Sequence, residues 1–261
     1  MAGTSDGMLR DLALEAARAG AAAIEETRRA GALSVDSKGS PNDLVTSADR
    51  ASEQAIIERI RAARPDDALL GEETGEHPGR SGVRWLIDPL DGTTNFVHGR
   101  RDWAVAVAAE ADGEVLAGAI VRPAFGEWAA ADERGTVGSM GAPAVSGARR
   151  LDRALICVGV TFDPDLREET LGLLVALLPH VRDFRRAGSA STELFTVATG
   201  ALDAYVGVQT SPWDLGAGWA LVRGAGGRCV HTRTAGGRAA HVAGAPAVAE
   251  ALVPLVERHP G

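Results

Sequence analysis

Cysteine is almost missing from this chain: Cys157 and Cys229 are the only two in 261 residues. That is too few for a disulfide framework, and both sit in apolar, strand-like runs (LICVGV and GRCV) where a buried thiol is expected. Aromatic residues make up only 4% of the chain, and no basic block with interleaved aromatics occurs. Together with a formal charge of −8, this leaves nucleic acid as an unexpected partner. No apolar run is long enough to cross a bilayer, so no membrane span is expected. Asp6, Asp11 and Glu15 interrupt the region where a leader would have its apolar core, so the expectation is a soluble protein of the reducing cytoplasm. The six histidines are scattered, without a His-x-x-x-His pair, and do not form a ligand set for zinc. Glycine is abundant but dispersed, which excludes a repeat or a low-complexity linker.

What is present is a composition 45% hydrophobic, enough to bury one large domain or two closely packed lobes. An anionic ligand would need local cations to approach so acidic a chain. Acids do recur at special places. Trp85-Leu86-Ile87 reads as the end of a buried strand, followed by Asp88 and Asp91 and then by Gly92-Thr93-Thr94, a turn opening a helix. Leu69-Leu70-Gly71 runs in the same way into Glu72-Glu73 at a glycine-bounded turn. Pro212-Trp213-Asp214 puts a third acid at a helix start, with small residues behind it. If Glu72, Asp88, Asp91 and Asp214 converge, each pair at about 4 Å repels by roughly 4 kcal/mol at an effective dielectric near 20. Such a pocket must shift its pKa values or hold cations. All-oxygen ligands favour magnesium, with manganese as the other candidate, over zinc or copper.

In chain order, Met8 to Arg29 is an amphipathic helix with a stripe at Leu9, Leu12, Ala16, Ala19 and Ala23. Lys38 to Asp43 has turn chemistry. A second helix starts in Leu44–Asp49, with Thr46 and Asp49 spaced as a capping box. If that box lies beside the pocket, Asp49 also has the means to orient Thr93. Trp103–Ala109, Glu114–Val121 and Glu127–Ala131 form an antiparallel meander. Glycine-rich Gly135–Gly147 is irregular and marks a lobe boundary, giving lobes 1–147 and 148–261 within one compact catalytic unit. Strands and helices alternate after Ala154, which argues for an α/β layered lobe beside a mixed sheet. Arg185-Arg186-Ala187-Gly188-Ser189-Ala190 reads equally as a turn with an N-cap at Ser189 or Ser191 and as a substrate wall with an arginine donor.

Gly71-Glu72-Glu73, the run Asp88-Pro89-Leu90-Asp91-Gly92-Thr93-Thr94-Asn95-Phe96, and Trp213-Asp214 with Gly216, Ala217 and Gly226-Gly227 resemble the inositol monophosphatase family of magnesium-dependent phosphatases. Lys38 and Asp43 to Asp49 match in order and spacing, so the resemblance spans nearly the whole chain. It implies a layered αβαβα sandwich with two mixed sheets, a homodimer, lithium sensitivity, and a small phosphorylated polyol or sugar as substrate. It further implies that Glu72, Asp88 and the Leu90 carbonyl hold one magnesium and that Asp88, Asp91 and Asp214 hold a second, Glu72 helping with a weaker third. Asp49 and Thr93 would orient the attacking water. The backbone of Gly92 and Thr93 would receive phosphate, and Arg185, Gly188, Ser189, Ala190 and Asp214 would face the substrate.

Two departures bear on specificity. Gly207 stands where inositol-specific members have an acid seven residues before the Trp-Asp aspartate, and the usual Gly-Ala-Phe-x-Asn-Gly segment is degraded to Gly138-Ser139-Met140-Gly141-Ala142. Histidinol phosphate, fructose bisphosphate and phosphorylated nucleotides therefore stay open as substrates. A haloacid-dehalogenase-type site is disfavoured because it needs Asp-x-Asp, whereas Asp88 and Asp91 are three apart with Pro89 between. The alternative of another class is a regulatory relative without turnover.

Overall fold

The computed structural model describes residues 6–37, 44–161 and 163–260. The turn expected over 38–43, with Lys38 and Asp43, lies outside the described residues. The first half runs α1 (Asp6–Arg29), β1 (Val35–Ser37), β2 (Leu44–Thr46), α2 (Ser47–Ala63), β3 (Ala68–Gly71), β4 (Gly75–His77), β5 (Val83–Asp91), α3 (Thr93–Val97), β6 (Ala104–Ala111), β7 (Glu114–Arg122), β8 (Glu127–Asp132) and β9 (Gly135–Gly138). The second runs β10 (Leu155–Val158), α4 (Pro164–Leu177), β11 (Asp183–Arg185), α5 (Ala190–Ala198), β12 (Ala204–Val208), α6 (Pro212–Gly224), β13 (Arg228–Arg233), β14 (Ala239–Gly244) and α7 (Pro246–Glu257).

Two large sheets result, ordered β4-β3-β5-β6-β7-β8-β9 and β11-β10-β12-β14-β13. Both are mixed: β3 and β5 run parallel in the first, and β10 runs parallel to β11 and β12 in the second. Helices α1 and α2 cover one face of the seven-stranded sheet, α5 and α6 fill the space between the sheets, and α4 and α7 cover the far face of the five-stranded sheet. The layers are therefore αβαβα, as the resemblance implied.

Strand β6 explains the spacing of the middle layer. Its Val105, Val107 and Ala109 join the core under α1, while Ala104, Ala106 and Ala108 face the other way, toward α6. That small-residue face lets α6 come very close: a Cβ at Gly216 would lie 2.8 Å from Leu86 Cδ1, and one at Gly218 would lie 2.4 Å from Leu194 Cβ on α5. Alanine at Gly218 is expected to force α5 and α6 apart and to cost about 1–3 kcal/mol by overpacking. A lower urea midpoint with an unchanged slope is the expected reading; an unchanged midpoint would mean that the two helices separate freely.

Several sequence expectations need correction. Leu44–Thr46 is a strand, and the second helix begins at Ser47, because Thr46 is extended (φ −123°, ψ 168°) and serves as its N-cap. The capping box itself forms, with Asp49 Oδ2 accepting from the Thr46 N–H at 2.8 Å. Strand β5 does not stop at Ile87 but continues to Asp91, with a register shift between Asp88 and Asp91; the irregularity is what allows Pro89 inside a sheet. The stripe of α1 drifts, so that Ala17, Ala21 and Ile24 are buried while Ala19 and Ala23 are only half-buried. Part of the glycine-rich stretch, Gly135–Gly138, is the edge strand β9. Strand β14, Ala239–Gly244, was not expected at all, although it lies between β12 and β13.

Candidate active site

The irregular end of β5 is pinned from behind by α2. Ser52 Oγ donates to the Pro89 carbonyl at 2.7 Å, and the Leu90 N–H reaches Asp88 Oδ1 at 3.2 Å. Gly92 then turns the chain with φ +93°; a Cβ there would lie 2.8 Å from the Asp102 carbonyl, so only glycine fits. Helix α3 begins at the next residue. Thr93 Oγ1 is 3.0 Å from Asp49 Oδ1 and 3.0 Å from the Leu90 carbonyl oxygen. A hydroxyl has one proton, and the charged carboxylate is the stronger acceptor. Donation to Asp49 leaves the Leu90 carbonyl a lone pair for another partner.

Glu72 sits where β3 ends. Its N–H donates to the Ile87 carbonyl at 3.1 Å, which sets it beside the residue preceding Asp88. The turn after it is held by Glu53 of α2, whose buried carboxylate accepts from the N–H groups of Glu73 (2.9 Å) and Thr74 (2.8 Å). A Cβ at Gly71 would fall 2.5 Å from that carboxylate, so the turn closes onto Glu53 only because residue 71 is glycine. Asp214 comes from the first turn of α6. Asp91 Oδ2 accepts from the Ser191 N–H at 2.5 Å, tying the end of β5 to the start of α5.

The charges of these acids act on one another. The Asp88 carboxyl is pushed well above the usual carboxylate range by burial and then by Glu72, Asp91 and Asp214. Burial, then Asp91 and Glu72, do the same to Asp214. Asp91 is raised to about 6, again by burial first, against the pull of hydrogen bonds from Ser191 and Ser189. Four acids from three distant chain segments therefore share one low-dielectric site that resists full ionisation. Among the described residues no three His, Cys, Asp or Glu side chains are gathered tightly enough to cage an ion alone. A magnesium-sized ion does not require such a cage, since it keeps several waters and takes one or two carboxylates. The donor set, all oxygen and over-supplied with negative charge, fits a hard cation.

Beside Asp91 and Asp214 lies a cavity of about 190 Å³. Gly188, Ser189 and Ala190 line it as the wall expectation had it, and Ser189 is also the N-cap of α5, accepting from the Thr192 N–H at 3.1 Å. The N-cap reading of that segment is therefore correct at Ser189, and the same residues face a cavity. Arg185 is a correction: its guanidinium is bound to Asp183 at 2.7 Å and to the Phe184 carbonyl, outside the cavity. Successive residues of β11 and its extension point to opposite faces, and it is Arg186 that lines the cavity.

Sequence reasoning missed Glu53, Ser52 and Glu193, and gave Asn95 and Arg186, though quoted within their segments, no role of their own. Asn95 Nδ2 bridges the carbonyls of Asp102 (2.6 Å) and Ala187 (2.9 Å). Glu193 is buried against the cavity, accepts from the N–H groups of Ala187 (2.8 Å) and Gly188 (3.2 Å), and is raised to about 7, chiefly by burial. One signal was available for α2: Asp49, Ser52 and Glu53 stand on the same helical stripe as buried Ile56 and Ile60. Polar residues on a core-facing stripe need partners.

This layered architecture, with an acidic site at the end of a mixed sheet and a small polar cavity beside it, defines a layered α/β protein with a candidate active site. The profile of the inositol monophosphatase family matches residues 8–260. An inositol-1-monophosphatase of Mycobacterium leprae is 37% identical over 250 residues, covering 89% of this chain and 84% of that one. A protein of Salmonella typhimurium named Nus factor SuhB is 37% identical over 221 residues, covering 83% and 82%. The solved inositol monophosphatase of Anabaena superposes with a TM-score of 0.84 at 29% identity over 98% of both chains. The chain belongs to the inositol monophosphatase family.

Proposed function

We infer that this protein is a magnesium-dependent phosphomonoesterase that hydrolyses a small phosphorylated polyol or sugar by direct attack of water. The observation that carries the reading is the accumulation of negative charge around buried Asp88, which is unfavourable unless cations enter. In this reading Glu72, Asp88 and the Leu90 carbonyl hold one ion and Asp88, Asp91 and Asp214 a second, with Glu72 turned also to a weaker third. When bound, magnesium cancels the carboxylate charge, acidifies a water and stabilises the leaving oxygen of an in-line displacement.

The chain's own residues supply positioning. Asp49 holds the Thr93 hydroxyl proton, so the oxygen of Thr93 presents lone pairs to the attacking water and takes its proton's hydrogen bond. The N–H groups at Gly92 and Thr93 receive phosphate oxygens. Ser189, Ala190 and the Gly188 backbone lie along the leaving group, and Arg186 is the cation at the cavity's rim. A Cβ at Gly207 would stand 2.4 Å from Thr210 Oγ1 and 2.7 Å from the Tyr205 hydroxyl, so two neutral hydroxyls take the space of the acid that inositol-specific relatives carry. Selectivity for inositol is correspondingly weak in this reading, and histidinol phosphate, fructose bisphosphate and phosphonucleotides belong in the test. The two lobes act as one catalytic unit, as a homodimer. Two free thiols suit a reducing cytoplasm.

A panel of phosphomonoesters, assayed for phosphate release with and without magnesium, tests the activity. Thr93→Ala is expected to lower kcat by about 10²–10⁴-fold with KM within a few fold, the size of a lost proton-handling group. An unchanged kcat would remove Thr93 from the mechanism. The name of the Salmonella relative favours a second reading, a regulatory binding protein. Absence of magnesium-dependent release from every ester, in a chain that is folded, would select it.

A further inference from the structure

On the opposite side of α6 from the acidic site, His231 of β13 and His241 of β14 are direct cross-strand partners. Their Nδ1 atoms are 2.9 Å apart, with the ring planes at 88° and the centroids 5.0 Å apart. Trp219 of α6 backs the pair, stacked on His231 at 4.7 Å and edge-on to His241 at 6.0 Å. An open cavity of about 560 Å³, lined by both histidines with Thr232, Arg233 and Glu257, leads to them from solvent. We propose that this histidine pair is an accessory site for a borderline divalent cation, zinc or copper(II), separate from the acidic site and independent of the phosphatase reading.

The geometry is close to what such an ion needs. Two imidazole nitrogens bound at about 2.0–2.1 Å to a tetrahedral ion are about 3.3 Å apart, with each lone pair turned about 35° off the N···N line toward the ion, so the rings have to separate by a few tenths of an ångström and swing by about that angle. Burial and the neighbouring ring hold His241 down to about 4, so it is neutral and has a lone pair at neutral pH. The close contact is an N–H···N hydrogen bond. When an ion enters, the shared proton moves from Nδ1 to Nε2 of its own ring, a change of tautomer that releases no net proton and turns both Nδ1 lone pairs to the ion. Imidazole selects zinc and copper over magnesium, which prefers oxygen, so the two sites sort the ions between them.

The neighbouring charges are already engaged. Arg233 donates to the Gly237 carbonyl at 2.7 Å, and Glu257 accepts from Thr232 Oγ1 at 2.7 Å. Among the described residues no third His, Cys, Asp or Glu completes a cage. Water fills the remaining positions, which makes the site exchangeable rather than structural.

The test is calorimetric titration of zinc chloride into the whole protein in saturating magnesium chloride; zinc also binds carboxylates, so Asp88→Asn is run alongside and only the event that it leaves unchanged is assigned to the histidines. One zinc per chain is expected, with at least a tenfold loss of affinity in both His231→Gln and His241→Ala. His231 is exposed, so His231→Gln decides the matter if the buried substitution does not fold. Copper(II) is expected to quench tryptophan fluorescence in the native chain and to lose most of that quenching in Trp219→Phe. Zinc binding of unchanged affinity in His231→Gln, or no zinc binding in magnesium, would overturn the proposal. Magnesium-dependent phosphate release is expected to stay within twofold in both histidine variants, so loss of the zinc event and loss of phosphatase activity are read separately.

Discussion

Replacing Asp88 by asparagine is expected to reduce magnesium-dependent phosphate release by about a thousandfold, the scale on which a preorganised electrostatic contact contributes to catalysis. Asp88 is the acid whose charge meets all three others, and in the proposed scheme it is the ligand common to both ions, so one substitution weakens two sites. The same change has an opposite effect on stability. The asparagine amide carries no charge, keeps an oxygen for the Leu90 N–H, and removes the cost of ionising a buried acid beside Glu72, Asp91 and Asp214 as the pH rises. The metal-free variant should therefore melt higher than metal-free native protein, by about 2–4 °C for each kcal/mol relieved. Loss of activity with a lower melting temperature would point to a damaged fold. Activity within tenfold of native would take Asp88 out of the site.

The parts of the fold legible in the sequence are those where periodicity and punctuation agree. Helix α1, the meander β6–β7–β8 and the capping box at Thr46 and Asp49 all carry a pattern that local chemistry alone enforces. Strand β14 carries none: Ala-Ala-His-Val-Ala-Gly has small residues on both faces because it is buried between β12 and β13, and alternation disappears when both faces are core. The four acids were legible because each stands at an apolar strand end or a helix start. Their supports were not. Glu53 stands on the core-facing stripe of α2, but its partner, the turn after Glu72, comes from another element. Arg185 and Arg186 are indistinguishable in sequence, and only the direction of β11 decides that one pairs with Asp183 while the other reaches the cavity. What the sequence withheld, then, was the partner of each polar group, since partners come from elements distant along the chain.

Chelation gives the second large effect, and its sign depends on pH. Asp91 is raised to about 6, and Asp88 and Asp214 are raised well above the usual carboxylate range, all three chiefly by burial. A carboxyl whose folded pKa exceeds its unfolded value near 3.9 favours the folded state fully below that value, and this contribution is lost as the pH rises through the folded pKa. Metal-free protein should accordingly lose stability between pH 4 and 6 on account of Asp91, by about 3 kcal/mol at 1.36 kcal/mol per pKa unit, and the raised Asp88 and Asp214 add losses of the same sign as the pH rises. Magnesium binds the ionised acids and stabilises the folded chain by mass action, so its effect should grow over the same range. Melting curves in excess magnesium and in chelator, paired at each pH, isolate this contribution from every other titrating group. The gap between them is expected to be small near pH 5 and to widen by about 5–10 °C by pH 8, at about 2–4 °C per kcal/mol for a chain of this size. A gap that is constant, or widest at acid pH, would mean that the four acids are not the groups the ions neutralise.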